Sequence, residues 1–115
     1  MNNPSPIEIY QAQDGTTQVE VRFENDTVWL SQAQMANIFD TSSDNISLHL
    51  KNIFNEAELD ENLTTEDFSV VRQEGKRQVT RKVKHYNLDA IISVGYRVKS
   101  KSATNFRIWA TARLK

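Results

Sequence analysis

Hydrophobic and polar positions alternate near the start of the chain, and this alternation predicts a β-hairpin. In the stretch QVEVRF, the apolar residues Val19, Val21 and Phe23 alternate with Glu20 and Arg22. A period of two is typical of a strand with one buried face. The polar break ENDT and the apolar run VWL follow directly. We therefore predict an N-terminal hairpin that leads into the next element.

The pattern then changes to a helical period, which predicts two short helices. Ser31 is a good N-cap for a first helix that ends near Asp40. Ser42 or Ser43 caps a second helix, over residues 43–54. Its apolar stripe falls at positions i, i+4, i+7 and i+8, namely Ile46, Leu50, Ile53 and Phe54.

The spacing within these two helices is typical of a helix-turn-helix. Counted from Gln32, Ala36 takes the position where a small residue lets two helices cross, Asp40 takes the turn, and Ile46 takes the packing position. Asp tolerates the left-handed backbone of such a turn, although less readily than Gly. The same spacing also occurs in proteins that never contact DNA, so the pattern alone leaves both interpretations open.

A second alternating stretch, FSVVRQEGKRQVTRKVKHYNL, predicts a basic β-hairpin over residues 68–86 with its turn at Glu74-Gly75-Lys76. Glu74 is the only acidic residue within its 13-residue basic run. The cations of this run are Arg72, Lys76, Arg77, Arg81, Lys82 and Lys84. A cationic two-stranded ribbon suits a phosphate backbone or a minor groove.

Two further helices follow this hairpin. Asn87 is placed to cap a helix from Leu88 to about Val98, and Ser102 begins a last helix that shows no stop signal. We therefore expect the chain to be the N-terminal fragment of a longer protein. The predicted core residues are Val21, Phe23, Trp29, Ala36, Phe39, Ile46, Leu50, Phe54, Ile91, Phe106 and Trp109.

Length and charge add a division within the chain. Its 115 residues fit one domain. The net charge of −1 conceals an uneven distribution, because residues 1–67 contain 13 Asp+Glu and 2 Lys+Arg, whereas residues 68–115 contain 2 Asp+Glu and 12 Lys+Arg. This asymmetry favours a basic face for a polyanion, although the two halves could instead neutralise each other. The absence of cysteine, of a signal peptide and of a long apolar run predicts a cytoplasmic protein without membrane contact.

Catalytic patterns are missing from the sequence. His49 and His85 are the only histidines, and neither has carboxylates at a metal-ligand spacing. No glycine-rich phosphate loop or nucleophile elbow occurs. We therefore expect a protein that is not an enzyme and that holds no metal and no cofactor.

Three runs of sequence are similar to a known family. VWLSQAQMANIFDTSSDNISLHLKNIF, VVRQEGKRQVTRKVKHYNLDAIISVGYRV and SKSATNFRIWATARL together resemble the N-terminal region of the RhuM family of bacterial virulence proteins. More distantly, the layout is similar to Bro-N and phage antirepressor N-terminal domains, which are taken as DNA-binding. The resemblance implies a DNA-binding-like module at the front of a longer protein.

These observations predict an α+β fold, a winged helix-turn-helix-like domain with an N-terminal β-hairpin and two C-terminal helices. Residues 1–6 would be a disordered tail and residues 7–115 a single domain. Helix 43–54 would enter the major groove of double-stranded DNA, hairpin 68–86 would hold the backbone, and a homodimer would occupy two half-sites. The predicted DNA-binding residues are Ser42, Ser43, Asn45, Ser47, Lys51, Arg72, Lys76, Arg77, Arg81 and Lys82.

Two alternatives stay open from the sequence. The domain could be a protein–protein interaction module, such as an antirepressor or a toxin–antitoxin partner, that docks its partner on the acidic segment from Glu56 to Asp67. It could also target a catalytic region that lies outside this chain.

Overall fold

The computed structural model describes residues 7–12, 15 and 17–115 of the chain. The tail predicted for residues 1–6 lies outside the described residues. The strands of this part are β1 (Ile7–Gln11), β2 (Gln18–Glu24), β3 (Thr27–Ser31), β4 (Thr65–Glu74) and β5 (Arg77–Asn87). The helices are α1 (Gln32–Phe39), α2 (Ser43–Asn55), α3 (Glu61–Thr64), α4 (Leu88–Val98) and α5 (Lys101–Arg113).

The predicted winged helix-turn-helix architecture is wrong. The described strands form one antiparallel sheet in the order β1-β2-β3-β5-β4. Strand β3 joins the N-terminal hairpin to β5 through pairs such as Leu30↔Tyr86. The fold is a mixed α+β domain whose N-terminal half is dominated by strands. The basic hairpin is part of the same sheet and not a separate wing. Packing from distant parts of the chain decides such pairing, so no local pattern announced it.

The N-terminal hairpin forms where it was predicted. Strands β2 and β3 pair through Arg22↔Trp29, and their turn residues Asn25 and Asp26 both have positive φ angles, 55° and 63°. Two consecutive left-handed residues match the twist that tight hairpins require.

Strand β1 extends this hairpin and was not predicted. It pairs with β2 through Tyr10↔Val19, and both of these side chains are buried. Its isoleucines, Ile7 and Ile9, lie on the opposite face and are exposed. The most apolar positions of β1 are therefore the solvent-facing ones, which hides the strand from a pattern search.

The predicted two-helix unit is present. The Ser31 hydroxyl accepts a hydrogen bond from the backbone N–H of Gln34, whose side chain accepts from the backbone N–H of Ser31. This capping box fixes the start of α1. Asp40 adopts the left-handed backbone expected of the turn, with φ 54° and ψ 51°. Of the two candidate caps for α2, Ser42 accepts from the backbone N–H of Asn45.

The C-terminal helices follow the prediction closely. The Asn87 side chain accepts from the backbone N–H of Ala90 and caps α4. Helix α5 begins at Lys101 with Ser100 as its cap, one residue earlier than the start predicted at Ser102. Short polar side chains at these positions satisfy N–H groups that would otherwise lack partners.

The hydrophobic core lies between one face of the sheet and the helices. Trp29 is the exception among the predicted core residues, because it is buried at 5% exposure outside this cluster, on the opposite face of the sheet. Phe23, Phe54 and Trp109 are partly buried against the core. The predicted residues found fully within it are Val21, Ala36, Phe39, Ile46, Leu50, Ile91 and Phe106.

Candidate nucleic-acid interface

The basic hairpin projects beyond the sheet as a two-stranded arm. Of the residues of β5, those that pair with β3 are 85–87. Strands β4 and β5 pair over a longer stretch, from Thr65↔Tyr86 to Glu74↔Arg77. No third strand of the described residues pairs beside the pairs from Asp67↔Lys84 outward. We call residues 67–84 the ribbon, and at about 3.3 Å per residue it extends about 25 Å.

An aromatic cluster on the outer face of the sheet anchors the ribbon at its base. The Phe68 ring packs edge-on against Trp29 and His85, with centroid distances of 5.5 and 5.2 Å. The Arg22 guanidinium lies 4.5 Å from the centroid of the Phe68 ring, a cation–π distance. These contacts tie β4 to β3 and β2 across the sheet and hold the base of the ribbon, whereas no other described strand pairs with its outer part.

The surroundings of His85 within this cluster favour its neutral form. Its Nδ1–H donates to the carbonyl oxygen of Val83 at 2.8 Å. Burial lowers the pKa of His85 below its usual value of 6.5, and the positive charge of Arg22 lowers that pKa further, whereas the hydrogen bond to Val83 opposes the shift. A neutral His85 is compatible with the arginine beside it.

The ribbon presents four cations that have no acidic partner. Within the described residues, no ion pair involves Arg72, Lys76, Arg77 or Lys82, and all four are exposed. Arg81 is engaged, because its guanidinium lies 2.9 Å from a carboxylate oxygen of Glu74. This contact raises the pKa of Arg81.

The register divides these cations between the two faces of the ribbon. Arg72 pairs with Val79, Arg81 with Val70, and Arg77 with Glu74, which places the three arginines on one face. Lys82 lies on the other face with Lys84, and Lys76 sits at the turn beside Gly75, whose φ is 62°. Either face of the ribbon, and its tip, can therefore meet a polyanion.

On α2, three of the predicted contact residues have structural roles. Ser42 caps the helix, the backbone carbonyl and hydroxyl of Ser43 accept from the Gln32 side chain at 2.9 and 3.0 Å, and the Asn45 side chain donates to the Thr41 hydroxyl at 2.9 Å. These contacts hold the start of α2 against α1 and against its own turn.

The exposed stripe of α2 contains the two remaining predicted residues. Ser47 and Lys51 face solvent, with Leu48 between them at 54% exposure. No described side chain accepts a salt bridge from Lys51. This stripe is the part of α2 that a base edge or a phosphate can reach.

A cleft of about 300 Å³ joins the start of α2 to the ribbon. It brings together Ser43 and Arg72, which the sequence had placed in separate elements. The cleft is lined by Ser31, Gln32, Ala33, Ser43, Arg72, Val83, Lys84 and Tyr86. The two predicted contact regions are therefore adjacent, although only these two members of the predicted set line the cleft.

Part of the acidic segment 56–67 is neutralised by the basic half of the chain. Glu56 and Glu58 each contact the Arg97 guanidinium at 2.8 Å, and Glu61 contacts Lys84 at 3.0 Å. The hydrogen bond from Arg97 lowers the pKa of Glu58. Asp60 caps α3. The interpretation that the two halves neutralise each other holds for these pairs, but not for the outer part of the ribbon.

Sequence reasoning missed several residues that build this surface. Gln32, which fastens Ser43, gave no signal, since the two residues are eleven positions apart. Arg22 on β2 and Phe68 on β4 meet although two strands, β3 and β5, lie between theirs in the sheet, and the two residues share no pattern in the sequence. Lys84 stood within the basic run but was left out of the predicted set, and its place in the alternation would have assigned it to the face of Lys82.

One family of known proteins is similar to the C-terminal half of the chain. The described part is an α+β domain whose basic hairpin and last two helices lie in its C-terminal half. The model of the Virulence protein RhuM family matches residues 63–115, which contain β4, β5, α4 and α5. The resemblance to the RhuM family is thereby confirmed over these residues. No curated protein and no solved structure matches the chain.

The described residues offer neither a membrane-spanning helix nor a cluster of metal ligands. No helix among these residues has the length and apolar character needed to cross a membrane. Within the same residues, no three His, Asp or Glu side chains gather into a group that could hold a metal ion.

Proposed function

We propose that this domain binds double-stranded DNA, with the ribbon on the phosphate backbone. The observation that carries the proposal is the set of four exposed ribbon cations that lack an acidic partner among the described residues. Unpaired cations on a projecting arm do little for folding, since exposed charges contribute little to stability. These cations favour the binding of a polyanion, because each phosphate that they neutralise releases counterions.

Helix α2 supplies the sequence-dependent part of this proposal. Its exposed stripe, with Ser47, Leu48 and Lys51, offers a hydroxyl, a methyl-bearing side chain and a cation, which are groups that meet base edges and phosphates. The cleft shared by Ser43 and Arg72 puts the start of this helix beside the ribbon. A duplex held on the ribbon would therefore lie near α2, which we assign to the major groove.

One short helix contacts few base pairs, so the proposal includes a homodimer that occupies two half-sites. A DNA-binding role places the protein in the bacterial cytoplasm, and it assigns no catalytic step to the residues of this chain.

The proposal is tested by fluorescence anisotropy on a random-sequence duplex at low salt. We expect Lys76→Glu/Arg77→Glu to weaken binding by at least about tenfold, because two phosphate contacts become repulsive. The matched control is Lys101→Glu/Lys115→Glu, which makes the same change in net charge at exposed positions outside the ribbon. Absence of wild-type binding, or equal weakening in both variants, would overturn the proposal.

A protein–protein module is the second candidate, and the outer edge of β4 favours it. Strand β4 ends the sheet, and Val71 on it is 65% exposed. An uncovered edge strand is a template for pairing with another chain. This candidate predicts a stable protein complex with weak duplex affinity that is insensitive to Lys76→Glu/Arg77→Glu. The duplex titration separates the two candidates, because only the DNA-binding proposal predicts an affinity that these charge reversals weaken.

A further inference from the structure

A second concave site lies between α4 and α5, the two helices that follow the ribbon in the chain. The two helices are joined by Lys99, in the left-handed region at φ 59°, and by Ser100. They approach closely at Gly95, where an added Cβ would collide with the Cβ of Ala103. This close crossing forms the floor of a cleft of about 280 Å³ beside the joint.

The lining of this cleft combines an aromatic ring, cations and hydroxyls over an apolar floor. Tyr96 is 75% exposed, and no ring or cation contact among the described residues covers it. Lys99 and Arg107 form no ion pair in the described part of the chain. None of the lining residues is acidic, and the full set is Ile92, Gly95, Tyr96, Lys99, Ser100, Ala103, Thr104 and Arg107.

These groups match the two ends of a nucleotide. Every base has a π-face that stacks on an exposed aromatic ring, and such stacking is largely independent of sequence. Arginine and lysine bind phosphate oxygens, and the Arg fork can hold two of them at once. A cleft of about 280 Å³ is just smaller than the roughly 300 to 1,000 Å³ of typical small-ligand sites, so it suits one nucleotide unit and not a longer ligand.

We propose that the α4–α5 cleft binds one nucleotide unit, with its base stacked on Tyr96 and its phosphate held by Arg107 and Lys99. The unit is either a free mononucleotide or one residue of a single strand, since both present the same base and phosphate. This site shares no residue with the ribbon or α2, so it stands apart from the duplex-binding proposal.

The test is a 15N-HSQC titration of the chain with three probes, which are AMP, a short oligothymidylate and inorganic phosphate. We expect AMP, the oligothymidylate or both to shift the amide signals of Tyr96, Lys99 and Thr104. Tyr96→Ala and Arg107→Ala should each weaken this binding by about tenfold. The matched controls are Ile108→Ala and Lys101→Ala, exposed side chains of α5 outside the cleft lining, which should bind as the wild type does.

The probes also distinguish the source of the nucleotide. Tighter binding of the oligothymidylate assigns the cleft to single strands, and equal or tighter binding of AMP assigns it to free nucleotides. The proposal is overturned if neither probe binds, if Tyr96→Ala binds as tightly as the wild type, or if inorganic phosphate binds as tightly as AMP. Lys76→Glu/Arg77→Glu should keep nucleotide binding, so a failure of the ribbon proposal leaves this outcome unaffected.

Discussion

The ribbon, and α2 with its N-cap, contain the two halves of the predicted DNA-binding set, and the fold uses them differently. On α2, Ser42, Ser43 and Asn45 all make hydrogen bonds that hold the helix in place. On the ribbon, four of the five predicted cations have no acidic partner in the described part of the chain. A short polar residue near a helix start therefore has a ready structural role, whereas a cation on an unsupported arm has none.

The largest expected effect comes from removing the unpaired ribbon charges. Replacing Arg72, Lys76, Arg77 and Lys82 with alanine together should weaken duplex binding by about a hundredfold or more at low salt, because several phosphate contacts are lost. Thermal unfolding should change little, since these side chains are exposed. A greater loss of affinity in Ser47→Ala/Lys51→Ala would reverse the comparison and make α2 the main contact.

Substitutions of Ser42 and Ser47 distinguish a serine that caps α2 from a serine that only faces solvent. Ser42→Ala should lower the free energy of unfolding by about 1 kcal/mol, because the N–H of Asn45 loses its cap. Ser47→Ala should change that free energy by less than about 0.5 kcal/mol. Urea denaturation measures both. A stability-neutral Ser42→Ala would mean that this hydroxyl is available for DNA after all.

The base of the ribbon should respond to pH through His85. Its folded-state pKa lies below the unfolded value of about 6.5, so the unfolded chain binds this proton more readily. The stability that His85 contributes is therefore complete above about pH 6.5 and is lost as the pH falls toward the lower folded-state pKa. His85→Gln should flatten the fall in melting temperature between pH 7 and pH 5.5. An identical pH dependence in His85→Gln and the wild type would exclude this role.

The smallest effect concerns the one paired arginine of the ribbon. Glu74→Gln removes an acid and frees Arg81, whose guanidinium contacts Glu74 at 2.9 Å. Duplex affinity should rise about two- to threefold, as expected for an exposed ion pair of small energy. Asp89→Asn, the same charge change on α4, is the control for the titration. An unchanged affinity in Glu74→Gln would show that Arg81 does not face the duplex.

Local signals in the sequence predicted most elements of the fold. The caps at Ser31, Ser42 and Asn87, the turn at Asp40 and the β4–β5 turn at Gly75 each depend on neighbouring residues, and all lie where the sequence placed them. Helix starts and tight turns are specified by such short-range chemistry, so one sequence suffices to find them.

The architecture and the α4–α5 cleft depend on contacts that no local pattern encodes. The pairing of β3 with β5 turned a supposed wing into part of one sheet. Strand β1 was missed because Ile7 and Ile9 are exposed while Tyr10 is buried. Tyr96 and Arg107 stand on different helices, and only the close crossing at Gly95 brings them to one cleft.

The most direct test of the central proposal is the salt dependence of duplex binding for the wild type and for Arg72→Ala/Arg77→Ala. The slope of log affinity against log salt concentration is negative, and each phosphate contact makes it steeper by about 0.9. We predict a steep negative slope for the wild type and a slope less steep by about 2 for the double variant. An identical slope in the two proteins, or no wild-type binding at low salt, would contradict a phosphate-binding ribbon.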